Sequence, residues 1–268
     1  MLWAYIAIIS YLITTIWIGV SIFKPNESPF LNRKLAPLGL GACALLLHAL
    51  VLYQSAVTPE GINLGFYNAL SLISWVIALM VVLVSTIKPT DNLAFIFLPA
   101  AALALLLDLL MPNTYVLAEH LSAGLRLHIL LSVTAYSLLT IAAVQAIILA
   151  IQEKQLHNKT PKGSMRFLPP MQTMEELLVQ LLSIGFFLLS LSLSSGLMFV
   201  HDIFDQHLSH KVVLSILAWL IFGLVLWGRW AWGWRGKKLV RWTLGGFSIL
   251  LLAYFGSKLV LELILNKV

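Results

Sequence analysis

Apolar residues dominate the chain in long, nearly unbroken runs, and short polar clusters separate them. Eight runs approach the roughly 20 mostly apolar residues that a membrane-spanning helix needs. They cover about 2–23, 36–56, 66–87, 93–111, 125–151, 177–200, 211–228 and 242–264. No run alternates with the period of a strand, so no β-structure is expected, and there is no internal repeat or low-complexity tract. Pro37, Pro89, Pro112 and Pro170 fall near the ends of runs, where a missing N–H does least harm. The stretch TPKGSMRFLPP (160–170) is the one real linker. Just after it, Thr173 and Glu176 in TMEE have the Thr-x-x-Glu spacing of a capping box, which predicts the start of the sixth helix there. The first run, MLWAYIAIISYLITTIWIGVSIF, lacks a basic leader and outlasts a signal-peptide core, so it reads as a retained span. The expected fold is all-α: one polytopic membrane bundle of eight transmembrane helices, forming a single domain over residues 1–268.

Composition supports this class. Hydrophobic residues make up 60% of the chain and charged ones only 10%, against roughly a quarter charged in soluble domains. Cys43 is the sole cysteine and lies inside an apolar run. A disulfide, a CxxC pair, a thiolate zinc site and a CxxCH haem attachment are therefore all excluded.

The net charge of +6 matters less than where it falls. The odd-numbered loops carry Lys24, Arg33, Lys34, Lys88, Lys154, Lys159, Lys162, Arg166, Arg229, Arg235, Lys237, Lys238 and Arg241. The even-numbered loops and their edges carry only Arg126 and Lys211. Thirteen cations against two make the odd loops cytoplasmic by the positive-inside rule, with both termini on the trans (periplasmic) side. A bacterial cytoplasmic (inner) membrane is the expected location. The tryptophan-rich run WGRWAWGWRGKK (227–238) and Trp242 sit at the cytoplasmic interface, where an aromatic belt accounts for them. Nucleic-acid binding is not expected of that basic patch.

Histidines sort the opposite way. His120, His201, His207 and His210 fall in the trans-side loops, and His128 begins the fifth run on the same side. His48 lies about 18 Å along the second helix, beyond the midplane, at a rise of 1.5 Å per residue. Only His157 is cytoplasmic. Neutral imidazole suits iron, zinc or copper, and two such rings can cap the faces of a haem. Haem also needs cations for its propionates. The pairs Arg126 with His128 and Lys211 with His210 place the two trans-side cations beside candidate ligands. His128, His210 and His48 are thus the candidate metal ligands. The plainer alternatives are solvated loop residues for His120, His201 and His207, and an interhelical hydrogen bond for His48. Asp108, Lys258 and Glu262, near trans-side helix ends, read as anchors or snorkelling groups.

Several of these runs are similar to one family. GINLGFYNALSLISWVIALMVVL (61–83) resembles the Asn-Leu-x-x-Tyr-x-x-Leu…Ser-Trp span of the cytochrome c assembly family, the haem-handling membrane proteins of CcsA and CcmC type. LRLHILLSVTAYSLLTIAAVQAIILAIQ (125–152) resembles its span with an outer histidine and a tyrosine two turns below, here His128 and Tyr136. GFFLLSLSLSSG (185–196) is similar to the next span, Lys211 and Trp219 to the opening of the following one, and TLGGFSILLLAYFG (243–256) to the last. The resemblance covers about 60–264, and it is closest to the YpjD/HemX-like branch that lacks a tryptophan-rich outer loop. The stretch LMFVHDIFDQHLSH (197–210) occupies that loop's place with histidines and no tryptophan. The family's second outer histidine has no counterpart in LELILNKV; His210 takes its place, or nothing does.

The resemblance implies a membrane protein that binds haem near the outer face in support of cytochrome c maturation. It implies His128 as one axial ligand and His210 or His48 as the other. Arg126 and Lys211 would hold the propionates, and Tyr136 and Trp219 would pack against the macrocycle. Partners would be the lipid bilayer and cytochrome c maturation or haem-biosynthesis proteins. Two alternatives remain: a cofactor-free membrane accessory protein regulating haem biosynthesis or membrane-protein assembly, and a small-solute or metal transporter with His48 on its path. No nucleophile, base and orienting group occur together, so an enzyme is not expected.

Overall fold

The computed structural model describes residues 2–23, 30–58, 61–88, 90–111, 116–118, 122–158, 168–199 and 209–256. Among them are eight helices long and apolar enough to cross a membrane. These are α1 (Leu2–Phe23), α2 (Phe30–Ala56), α3 (Phe66–Ser85), α4 (Asp91–Leu110), α5 (Ala123–His157), α6 (Met171–Phe199), α7 (Ser209–Trp232) and α8 (Gly236–Leu251), the last continuing as a π-turn through Leu252–Gly256. The chain is all-α in its spans, as the run lengths predict. It divides into two compact units. The amino-terminal unit is Met1–His120 with Gly163–Leu168, and the carboxy-terminal unit is Leu121–Lys162 with Pro169–Val268.

In the amino-terminal unit α1 packs on α2 and α4, and α3 packs on α4 and α2. Small side chains bring these helices close. Ala4, Ala7, Ala44, Ala78, Ala101 and Ala102 are all buried, and close backbone approach is what drives helix association where the surroundings are as apolar as the side chains. Across α2 and α3, Trp75 donates its indole N–H to the Leu45 carbonyl at 2.9 Å. The outward faces carry Leu2, Trp3, Ile9, Ile16 and Val20 exposed, as a lipid-facing surface should.

The expectation of no strand is corrected here. Val57–Thr58 (β1), Gly61–Asn63 (β2) and Val116–Ala118 (β3) form a small antiparallel sheet, with Val57 opposite Ile62 and Ile62 opposite Leu117. Strands of two or three residues are too short to show a period of two, and the hairpin depends on Gly61 at φ 138°, a conformation that glycine tolerates.

In the carboxy-terminal unit α5 and α6 form the longest hairpin. The 35 residues of α5 make about 52 Å at 1.5 Å per residue, well beyond a ~30 Å hydrocarbon core. The hairpin is also held by amides: Gln145, within the apolar run, donates to the Met174 carbonyl at 3.0 Å, and Gln152, just beyond it, to the Pro169 carbonyl at 3.0 Å. α8 packs on α5 and α7, and α7 on α6. Gly233 and Gly236, at φ 63° and 52°, make the tight turn between α7 and α8. Trp234 is buried in that turn between the rings of Trp232 and Trp242, with Lys238 above its face.

Several ends differ from those read from hydropathy. α5 runs to His157 rather than 151, α6 starts at Met171 rather than 177, α7 ends at Trp232 rather than 228, and α8 starts at Gly236 rather than 242. Apolar counting stops at the interface, but helices of good helix formers continue until a breaker stops them. Residues 257–264 of the eighth run lie outside the described residues. Pro37 is inside α2, because the polar residues before it are already helical. The capping-box reading is also corrected. Thr173 and Glu176 lie within α6, whose first turn is closed by the Met174 N–H on the Pro170 carbonyl at 3.1 Å, and Glu176 accepts from Gln172 instead.

Candidate functional site

His128 sits in the second turn of α5, a helix that Ser122 caps by accepting the Leu125 N–H at 3.2 Å. Its half-buried ring faces the end of α6. Nδ1 is 2.9 Å from the Ser192 carbonyl oxygen and 3.1 Å from Ser195 Oγ. Ser195 spends its own proton on the same Ser192 carbonyl at 2.9 Å, so its oxygen accepts. Both contacts therefore require Nδ1 to carry the proton. The opposite nitrogen, Nε2, has only the Ser132 hydroxyl within reach, at 3.5 Å. That hydroxyl lies nearer two other acceptors, the His128 carbonyl at 2.7 Å and Ser192 Oγ at 2.7 Å. The ring is fixed as the Nδ1–H tautomer, and its Nε2 lone pair has one long contact, to Ser132 Oγ, among the described residues. A backbone carbonyl on one imidazole nitrogen is the usual support of a metal-binding histidine, because it sets the tautomer and aims the other nitrogen. Gly196 makes the arrangement sterically feasible. A Cβ there would lie 2.9 Å from His128 Cε1.

Within the same unit Arg126 is exposed, two residues before His128. His210 is exposed in the first turn of α7, with the half-buried Lys211 after it. Trp219 stacks on Phe186 with ring centres 5.5 Å apart and donates its N–H to Ser190 Oγ at 2.7 Å. Tyr136, two turns below His128, is buried among the rings of Phe247, Tyr254 and Phe255. Serines of α6 thus serve both candidates, Ser192 and Ser195 at His128 and Ser190 at Trp219.

His48 belongs to the amino-terminal unit and is 0% exposed. Both of its nitrogens are engaged. Nδ1 is 3.2 Å from the Tyr11 hydroxyl and Nε2 is 3.0 Å from Ser71 Oγ. Ligation of iron by His48 would require one of these bonds to be given up. Asp108, read as an anchor, is half-buried in the last turn of α4. His120, His201, His207, Lys258 and Glu262 lie outside the described residues. Among the described residues no group of three His, Cys, Asp or Glu side chains converges as metal ligands. A haem iron takes two protein ligands, so the fit to haem rests on individual rings.

Sequence reasoning missed the groups that orient these histidines. Ser132, Ser192, Ser195 and Gly196 hold His128, and Tyr11 and Ser71 hold His48. The run LSLSLSSG ending α6 was the available signal, for it is dense in small hydroxyl side chains where a span could be uniformly apolar. Glu175 was missed as well. It is buried near the start of α6 and paired at 2.6 Å with Arg229, whose guanidinium also reaches the Trp234 carbonyl at 3.2 Å. This ion pair ties α6 to the α7–α8 turn.

Comparison with known proteins agrees with the architecture. Residues 38–265 match the sequence profile of the family described as Cytochrome C assembly protein. The inner membrane protein YpjD of Escherichia coli K12 is 34% identical over 268 residues, covering 97% of this chain and 98% of that protein. An uncharacterised 28.8 kDa protein of Azospirillum brasilense is 34% identical over 142 residues, 52% of each chain. The cytochrome c biogenesis protein CcsA of a Picosynechococcus strain is 24% identical over 115 residues, 42% of this chain and 34% of that one.

Proposed function

The chain belongs to the cytochrome c assembly protein family, and we propose that it binds haem through His128 at one rim of its carboxy-terminal unit. It is a multi-pass protein of the cytoplasmic (inner) membrane. The observation that carries the haem reading is the proton count at the His128 ring. Nδ1–H is committed to Ser192 and Ser195, which aims Nε2, whose one contact is the Ser132 hydroxyl at 3.5 Å, as the σ-donor. Bound there, haem would supply a redox-active iron.

The chain's own residues would do the rest. Ser192 and Ser195 hold the ring still and raise the basicity of Nε2. Arg126, exposed two residues before His128 in sequence, would neutralise a propionate, and Lys211 another. His210 is the preferred second ligand, since its ring is exposed while both His48 nitrogens are taken. Tyr136 and Trp219, each packed against further aromatic rings, would give the macrocycle an apolar floor. The cation bias supports a cytoplasmic position for the loops carrying Lys88, Lys154 and Arg229, which puts His128 at the periplasmic rim with both termini on that side. Cytochrome c maturation or haem-biosynthesis proteins would be the partners there.

The test is the visible spectrum of protein made with ample haem and purified in mild detergent. A Soret band in the native protein that is lost in His128→Ala is expected. A colourless preparation that also takes up no added haem refutes the reading and leaves a cofactor-free accessory protein.

A further inference from the structure

At its end away from His128, the carboxy-terminal unit holds a charged cavity that the haem reading does not use. Its walls are the first turns of α6 and the α7–α8 turn, about 25 Å along α6 from Ser192 at 1.5 Å per residue. The cavity measures about 220 Å³ and is lined by Met171, Gln172, Glu175, Glu176, Arg229 and Arg235. At roughly 30 Å³ per water it has room for about seven, and so for a phosphate bearing a short ammonium arm.

The lining sorts into an inner and an outer pair of charges. Inside, Arg229 Nη1 meets Glu175 Oε1 at 2.6 Å and also donates to the Trp234 carbonyl at 3.2 Å. These two charges cancel and are held in place. Outside, Arg235 and Glu176 are exposed. Arg235 Nε stands 3.9 Å from the same Glu175 oxygen that Arg229 already holds, beyond hydrogen-bonding reach. Glu176 receives one long contact, from the Gln172 amide at 3.4 Å. Among the described residues, then, the rim presents one guanidinium and one carboxylate with capacity to spare.

We propose that this cavity seats the headgroup of a zwitterionic phospholipid, with Arg235 on the phosphodiester and Glu176 on a primary ammonium. A rim with one charge of each sign around a neutral interior is complementary to a ligand that is built the same way. A purely anionic headgroup would satisfy Arg235 and leave its negative charge facing Glu176. Guanidinium N–H groups match two oxygens of a phosphate, and a primary ammonium has protons to give a carboxylate. Met171 supplies an apolar wall for the carbon arm between them. The level also suits a lipid. Trp227, Trp230 and Trp232 stand exposed in the last turns of α7, and indoles gather where acyl chains give way to headgroups. A soluble zwitterion has the same charges but no acyl chains to hold it there. Lys237 and Lys238 lie outside the lining, Lys238 4.0 Å above the centre of the Trp234 ring. They attract any anionic surface without telling headgroups apart.

Native mass spectrometry of the full-length protein, delipidated in detergent and titrated with one phospholipid at a time, reads the site. Phosphatidylethanolamine should fill one saturable site about tenfold more tightly than phosphatidylglycerol, which lacks the ammonium, or phosphatidylcholine, whose nitrogen has no proton to donate. Arg235→Gln and Glu176→Gln should each weaken phosphatidylethanolamine about tenfold, the effect of one hydrogen bond between charged groups. Glu176→Gln should not weaken phosphatidylglycerol. Both side chains are exposed, so neither change should cost the fold, and Arg235→Lys should restore part of the affinity. Lys237→Gln should leave it at the native value. Equal binding of the three lipids, or a loss in Lys237→Gln as large as in Arg235→Gln, means diffuse attraction and overturns the proposal. So does saturation by glycerophosphoethanolamine, the same headgroup without acyl chains, at the concentration that the lipid needs, for the site would then serve a free solute.

Discussion

Two histidines, each in a different unit, show how far surroundings decide what one side chain can do. His48 is closed: no surface, and a hydroxyl on each nitrogen. His128 is open: half-buried, one nitrogen tied to a carbonyl and a serine, the other with only a long 3.5 Å contact to the Ser132 hydroxyl. A ring with two hydroxyl partners ties helices together and has no lone pair to spare for a metal. A ring whose proton is held by a carbonyl, with only one long contact on the other nitrogen, can offer that lone pair. Imidazole in a span is therefore not a single signal. Its meaning lies in whether the second nitrogen is engaged.

The comparison breaks outright if the two rings behave alike towards haem. His128→Ala should remove the Soret absorption of protein loaded with haem, whereas His48→Gln should leave band position and intensity unchanged. Loss of the band in both variants would mean that the closed ring opens to ligate. Next in size is Gly196→Ala. The added methyl would stand 2.9 Å from His128 Cε1, so the ring must turn off its carbonyl, and haem affinity should fall about 10- to 100-fold, as when the outer partners of a metal ligand are lost. Gly41→Ala is the matching control in the other unit. Its Cβ would meet Val82 at an ordinary 3.6 Å, and titration with haem should give the native affinity.

Smaller again is Ser195→Ala. The Ser192 carbonyl still receives the Nδ1–H at 2.9 Å, so the tautomer survives and only one of two acceptors is lost. A cost of about 1 kcal/mol, the net worth of one hydrogen bond, corresponds to roughly a fivefold weaker haem titration. A loss as large as that of His128→Ala would mean that Ser195 fixes the ring, and the carbonyl does not.

The spans could be read from the sequence because a bilayer enforces length and apolarity together, and every described run became a helix. Their ends could not, since residues such as Gln152, Glu153 and Lys154 continue α5 through the interface without an apolar mark. The sheet was illegible because two or three residues carry no period. For the sites, His128 was visible through its resemblance and its neighbour Arg126, but the serines that orient it come from 64 and 67 residues away. His48 could be placed by depth alone. Its partners Tyr11 and Ser71, 37 and 23 residues away in sequence, look like ordinary residues of apolar runs until the helices are packed.

The smallest effect tests the closed site. Tyr11→Phe keeps the buried ring and its edge-on contact with His48, whose centre lies 5.8 Å away, and removes only the hydroxyl. The change deletes one hydrogen bond between α1 and α2 and leaves Nδ1 without a donor. Interhelical hydrogen bonds in membranes contribute about 0.6 kcal/mol on average, because the unfolded chain in lipid also finds partners, so thermal or denaturant unfolding in detergent should register a loss of that order. The Soret band should not move. If the band shifts instead, the closed site reports on the open one, and the two histidines cannot be treated as separate devices.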